Sequence, residues 1–69
     1  MYEIKEKLEL IDRAIKMLNQ EADYLGKAIL KLLDDASFIE YARHKLTDYK
    51  TSIDSLKLHK KIIQQQSND

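Results

Sequence analysis

The amino-acid sequence predicts an all-α protein, an antiparallel two-helix hairpin of the coiled-coil type that dimerises into a four-helix bundle. Three observations support this prediction. Apolar residues recur at steps of four and three along most of the chain, proline is absent with Gly26 the only glycine, and the apolar series changes phase once, near Asp34–Ser37. Such steps average about 3.5 residues, the repeat of helices that pack side by side, and a β-strand cannot produce them.

The first helix is predicted over residues 2–34, because the four-three spacing runs through this segment without interruption. We call the apolar set the first seam: Ile4, Leu8, Ile11, Ile15, Leu18, Ala22, Leu25, Ile29, Leu32 and Ala36. Its phase continues through Gly26, so a single helix is expected despite a local cost of about 1 kcal/mol. An alternative interpretation is that Gly26 permits a close approach between helices.

The second helix is predicted over residues 38–64, where the spacing resumes in a different phase. We call this set the second seam: Ile39, Ala42, Leu46, Tyr49, Ile53, Leu56, Lys60 and Ile63. Extending the first seam would instead bury Arg43, Lys50 and Lys57, and burying unpaired charges is costly. The register therefore shifts between the two seams, either at a turn or at a stutter within one long helix.

Local chemistry favours a turn, predicted over residues 35–37. Ser37 and Glu40 have the spacing of a capping box, in which each side chain binds the backbone amide of the other residue. Asp34 and Asp35 are unfavourable at the negative end of a helix, and aspartate tolerates the left-handed conformation that reverses a chain. The polar tail, residues 65–69, is expected to fray.

The first helix carries more apolar surface than one partner helix covers. Leu10, Met17 and Tyr24 are spaced by seven residues beside the first seam, and we call them the flank. The second helix adds apolar residues outside its seam: Phe38, Tyr41, Leu58 and Ile62. A wide apolar face is typical of a bundle, so we expect a homodimer. The flank then either lies in the dimer core or docks a larger protein, as spaced anchors of a helix do.

Charge is balanced overall but differs between the two halves. Twelve basic and twelve acidic side chains give a net charge of zero, which argues against bulk electrostatic binding of nucleic acid. Residues 1–35 hold six basic and eight acidic side chains, a balance of −2, and residues 36–69 hold six and four, a balance of +2. Pairing between the helices is the simpler explanation. The alternative is a nucleic-acid-binding basic strip: Arg43, Lys50, Lys57 and Lys61.

No residue pattern indicates catalysis, a cofactor or a metal. Glu40, His44 and Asp48 recur every four residues, but the first helix offers no histidine to complete a site, so we interpret them as a solvated polar face. The chain has no cysteine and no glycine-rich phosphate loop. Charged residues interrupt the N-terminal segment and no apolar run is long enough for a membrane span, so a cytoplasmic protein is expected. Ten lysines against two arginines suggest a bacterial or phage origin.

These observations together predict a non-enzymatic protein–protein interaction module, a small regulatory or adaptor protein that binds a larger protein. The flank is the predicted partner-binding surface. Two alternatives remain open. One is a nucleic-acid-binding helical hairpin that is Rop-like in architecture only, and the other is an architectural coiled-coil subunit of an assembly.

Overall fold

Two α-helices pack against each other as a hairpin in the computed structural model, which describes residues 3–67 and the side chains of residues 3–66. Helix α1 spans Ile4–Lys31 and helix α2 spans Ala36–Ser67. The hairpin measures 53 × 17 × 15 Å, a length set by two helices that rise about 1.5 Å per residue and lie side by side. The predicted all-α hairpin is confirmed.

Helix α1 begins after Glu3, whose carbonyl accepts the first helical hydrogen bond from the Lys7 amide at 3.0 Å. The predicted start at residue 2 lies outside the described residues. The helix continues through Gly26, as the unbroken first seam predicts. A Cβ atom placed on Gly26 would meet nothing within 4 Å. The interpretation of Gly26 as a point of close approach is therefore wrong within the hairpin.

The chain reverses over residues 32–35, earlier than the predicted turn at 35–37, so α1 ends at Lys31 and not at residue 34. The Leu32 amide still donates to the carbonyls of Ala28 and Ile29, at 3.0 and 3.2 Å. The Asp35 amide then donates to the Leu32 carbonyl at 3.0 Å and closes a four-residue turn. No non-glycine residue among those described has a positive φ, so the left-handed conformation expected of Asp34 or Asp35 is not used.

Helix α2 is capped by Asp35 and not by Ser37. The Phe38 amide donates to the Asp35 carboxylate at 3.0 Å, and the Ile39 amide donates to the Asp35 carbonyl at the same distance. Aspartate and serine are about equally good caps, so the residue that the turn presents first takes the position. Ser37 lies inside the helix, and the predicted capping box with Glu40 is wrong.

The far end of α2 also differs from the sequence prediction. The helix extends to Ser67, so residues 65–67 of the segment expected to fray are helical. Residues 68 and 69 lie outside the described range. Neither described helix combines the length and the hydropathy that a bilayer-spanning segment requires.

The two seams face each other along the hairpin, as predicted. On α2, Ala42, Ile53 and Ile63 are buried and the other second-seam residues are half-buried. On α1, the first seam is half-buried from Leu8 to Ile29, and no residue of that helix is fully buried. The core is therefore a single row of contacts, open to solvent along both sides.

The one charged member of the second seam has a partner on the other helix. Lys60 is half-buried, and its Nζ atom donates to Asp12 Oδ1 at 2.6 Å. Asp12 directly follows the first-seam residue Ile11, at the edge of the contact between the helices. The ion pair explains how a lysine occupies an apolar series without leaving an unpaired charge in the core.

Candidate interaction surface

The flank lies beside the contact between the helices and is not covered by α2. Leu10, Met17 and Tyr24 keep 49%, 59% and 69% of their surface exposed. Each directly precedes a first-seam residue, and one residue turns an α-helix by about 100°, so all three project from the same side of α1. Two smaller residues on the same side are half-buried: Ala14, between Leu10 and Met17, and Ala28, beyond Tyr24. Three large apolar side chains therefore form an open row along the hairpin.

Helix α2 contributes apolar residues to the same side of the hairpin. An antiparallel helix pair has an approximate two-fold axis perpendicular to the plane that contains the two helix axes. Rotation about it exchanges the two helices but does not exchange the two open faces of the pair. Residues that precede the second seam therefore share a face with residues that precede the first. Among them are Phe38, Tyr41 and Ile62. We call this side the flank face.

The flank face is apolar near both ends of the hairpin and mixed along its length. Phe38 is half-buried, and its ring centroid lies 6.5 Å from that of Tyr41, which is exposed. Ile62 is exposed near the opposite end of the rod. The polar and charged residues that precede seam positions are Glu3, Lys7, Glu21, Lys31, Asp35, Lys45, Asp48, Ser52, Ser55 and His59. Two of these, Ser52 and Ser55, are small and leave room for a neighbouring chain.

The basic strip lies on the opposite side, which we call the strip face. Arg43, Lys50, Lys57 and Lys61 each directly follow a second-seam residue, and all four are exposed. The ion pairs among residues 3–66 are Lys60–Asp12 and Lys27–Asp23, and neither includes the strip. Asp54 lies between its members in sequence and reduces its net charge. The strip face is thus charged and accessible, whereas the flank face holds five of the ten large apolar side chains that are exposed in the described part of the chain.

At the tip of the hairpin lie two exposed leucines, outside both seams, that the apolar spacing did not predict as surface residues. Leu30 and Leu33 are 71% and 66% exposed. Neither belongs to a seam or to the flank, so the spacing gave no reason to single them out. The signal was local: three of four consecutive residues before Asp34 are leucine, where turns are usually polar.

The three potential metal ligands on α2 are exposed and form no site. Glu40, His44 and Asp48 lie along the solvent side of the helix, and no group of three or more such side chains in the described part of the chain is placed to hold a metal ion. Two shallow depressions lie beside the exposed row on α1. One, of about 250 Å³, includes Leu10, and the other, of about 140 Å³, includes Tyr24. Each is lined by α1 alone and suits an inserted side chain better than an enclosed substrate.

No family model, no curated protein and no solved structure matches the chain.

Proposed function

We propose that this protein is a non-enzymatic interaction module, a helical hairpin that associates into a four-helix bundle and in that form binds and regulates a larger protein. The observation that carries the proposal is the exposure of Leu10, Met17 and Tyr24 in one row. Apolar side chains scattered singly over a surface are ordinary, but several large ones aligned on one side of a helix are typical of a binding site. Methionine and tyrosine are also side chains that protein interfaces favour.

The proposal is tested by capturing proteins from the native host with a tagged hairpin. The test variant changes the flank: Leu10→Lys, Met17→Lys and Tyr24→Gln. A matched control makes the same kinds of change at exposed leucines away from the flank: Leu30→Lys, Leu58→Lys and Leu33→Gln. We expect the wild type and the control to retain one specific larger protein and the flank variant to lose it.

The comparison is informative because both variants add the same charge and remove apolar side chains from exposed positions. If the flank variant retains the larger protein as well as the control does, the flank is not required for binding. If none of the three captures a specific protein at physiological salt, the function as an adaptor is wrong. Circular dichroism on each variant shows whether the helices persist.

A second candidate function is supported by the exposure of the basic strip. Four cationic side chains without ion-pair partners among residues 3–66 could contact successive phosphates of a nucleic acid. Binding of this kind weakens steeply as salt rises, because it releases counterions, whereas an apolar interface is much less sensitive. A titration of a structured RNA at two salt concentrations, with Lys50→Gln and Lys57→Gln in one variant, distinguishes this alternative from the leading proposal.

A further inference from the structure

The isolated hairpin leaves more surface in solvent than a finished domain of its mass. It exposes 5794 Å², whereas a compact monomer of 8.1 kDa exposes about 4,500 Å². The difference, roughly 1,300 Å², is larger than the area of about 800 Å² that each partner buries in a standard stable interface. The three buried residues among those described all belong to α2. The hairpin therefore leaves more than enough area for a partner to cover, above all along α1.

The two open faces of the hairpin differ in how well they could supply that area. On the flank face, both helices present large apolar side chains at positions that precede a seam: Leu10, Met17, Tyr24, Phe38, Tyr41 and Ile62. On the strip face, the corresponding positions that follow a seam include two large apolar residues, Leu30 and Leu33. Arg43, Lys50, Lys57 and Lys61 occupy the same face, and covering it would remove these four charges from water. Only the flank face can be covered without burying this strip.

We infer that the flank face is covered by a second copy of this chain. This inference rests on the self-association within the proposed function and specifies its surface. The flank holds the two copies together, so capture of the larger protein depends on the assembled dimer and not on direct contact with the flank. The two strip faces lie on the outside of the resulting bundle. The flank faces of two copies are complementary to each other. It offers apolar side chains from both helices, small residues that allow close approach, and charges of both signs that two copies could pair: Glu21, Lys45 and Asp48.

Oligomeric state is the first test, measured by light scattering coupled to size exclusion. We expect the wild type at twice the monomer mass of 8.1 kDa. The control with Leu30→Lys, Leu58→Lys and Leu33→Gln should remain dimeric. The flank variant should elute as a monomer or lose its helicity. An α2 variant, Tyr41→Lys with Ile62→Lys, should dissociate in the same way, because it opens the same face from the other helix.

A crosslinking test does not depend on whether the variants fold as monomers. The chain has no cysteine, so Met17→Cys accepts a thiol-specific benzophenone at one position only. On the flank face this probe should crosslink two copies of the purified protein on illumination. The same probe at Leu30→Cys, on the strip face, should give no such product.

Several results would overturn the inference. These are a monomeric wild type that unfolds cooperatively, a flank variant or an α2 variant that stays dimeric, a control that dissociates, and a homodimeric crosslink from residue 30 but not from residue 17. The failure of the proposed function is recognised separately. A residue-17 homodimer with no larger protein captured supports the inference and opposes the adaptor function. A monomer that captures a larger protein through the flank supports the adaptor function and opposes the inference.

Discussion

Asp35 uses three polar groups to join the helices at the tip. Its amide donates to the Leu32 carbonyl, its carboxylate accepts from the Phe38 amide, and its carbonyl accepts from the Ile39 amide. A negative side chain is also favourable beside the positive end of α2. One residue therefore closes the turn and starts the second helix.

Removing the Asp35 carboxylate should weaken the hairpin more than removing the Ser37 hydroxyl. We expect Asp35→Ala to lower the free energy of unfolding by about 0.5–2 kcal/mol, the usual effect of losing an N-cap. Ser37→Ala should be nearly neutral, and Asp35→Asn should retain most of the stability because asparagine caps equally well. Urea unfolding of the three variants measures these differences. A larger loss of unfolding free energy for Ser37→Ala than for Asp35→Ala would show that Ser37 is the N-cap.

The sequence could not decide between these two caps, because Asp35 and Ser37 have suitable chemistry and lie two residues apart. The choice depends on where α1 stops, which the turn geometry sets and no local pattern records. Lys60 illustrates the same limit. Its place in an apolar series is explained by Asp12, which lies 48 residues earlier in the chain.

At the scale of the helices, Gly26 is a weak point with no structural role in the hairpin. It sits within α1, and an added methyl group would meet open space. Gly26→Ala should therefore raise the free energy of unfolding by about 0.5–1 kcal/mol, since alanine loses less backbone entropy in a helix.

The reverse change at an exposed position of the same helix serves as the control. Gln20→Gly should lower stability by a comparable amount. Thermal unfolding followed by circular dichroism compares both variants with the wild type. A destabilising Gly26→Ala would mean that another chain approaches closely at this position, which the isolated hairpin does not require.

The pairing of the helix faces could be predicted because apolar spacing is a local property of the sequence. Both seams lie where the four-three pattern places them, and the change of phase marks the reversal of the chain. The end of α1 could not be placed as well. Leu32 continues the first seam beyond the last helical residue, so the apolar pattern extends past Lys31 while the backbone has already left the helix.

At the scale of the whole molecule, self-association predicts that the thermal stability depends on protein concentration. When two chains fold and associate in one step, mass action favours the folded dimer more strongly as the protein concentration rises. For a dimer of this size, raising the concentration about a hundredfold should raise the Tm by roughly 10 °C. The flank variant should show a lower Tm with no such dependence, if it folds at all.

The measurement is a set of melting curves at increasing protein concentration and constant salt. The control variant with changes at Leu30, Leu33 and Leu58 should follow the wild type. A Tm that stays constant for the wild type would indicate a monomeric unit. The sequence alone placed Leu10, Met17 and Tyr24 in one row, but it held no information on whether a second copy or a foreign protein would contact them, because either would use the same apolar side chains.

The tip and the ion pair between the helices also imply an order of folding. Contacts in a hairpin join residues at similar distances from the turn, so the loop that each contact closes lengthens towards the open end. The bond between Asp35 and Leu32 closes a short loop, whereas the pair of Asp12 and Lys60 spans 48 residues. Loop closure costs more entropy as the loop grows, and proteins rich in local contacts fold fast. Closure should therefore proceed from the turn outwards, with the Asp12–Lys60 pair among the last links to form and the first to break when the hairpin opens.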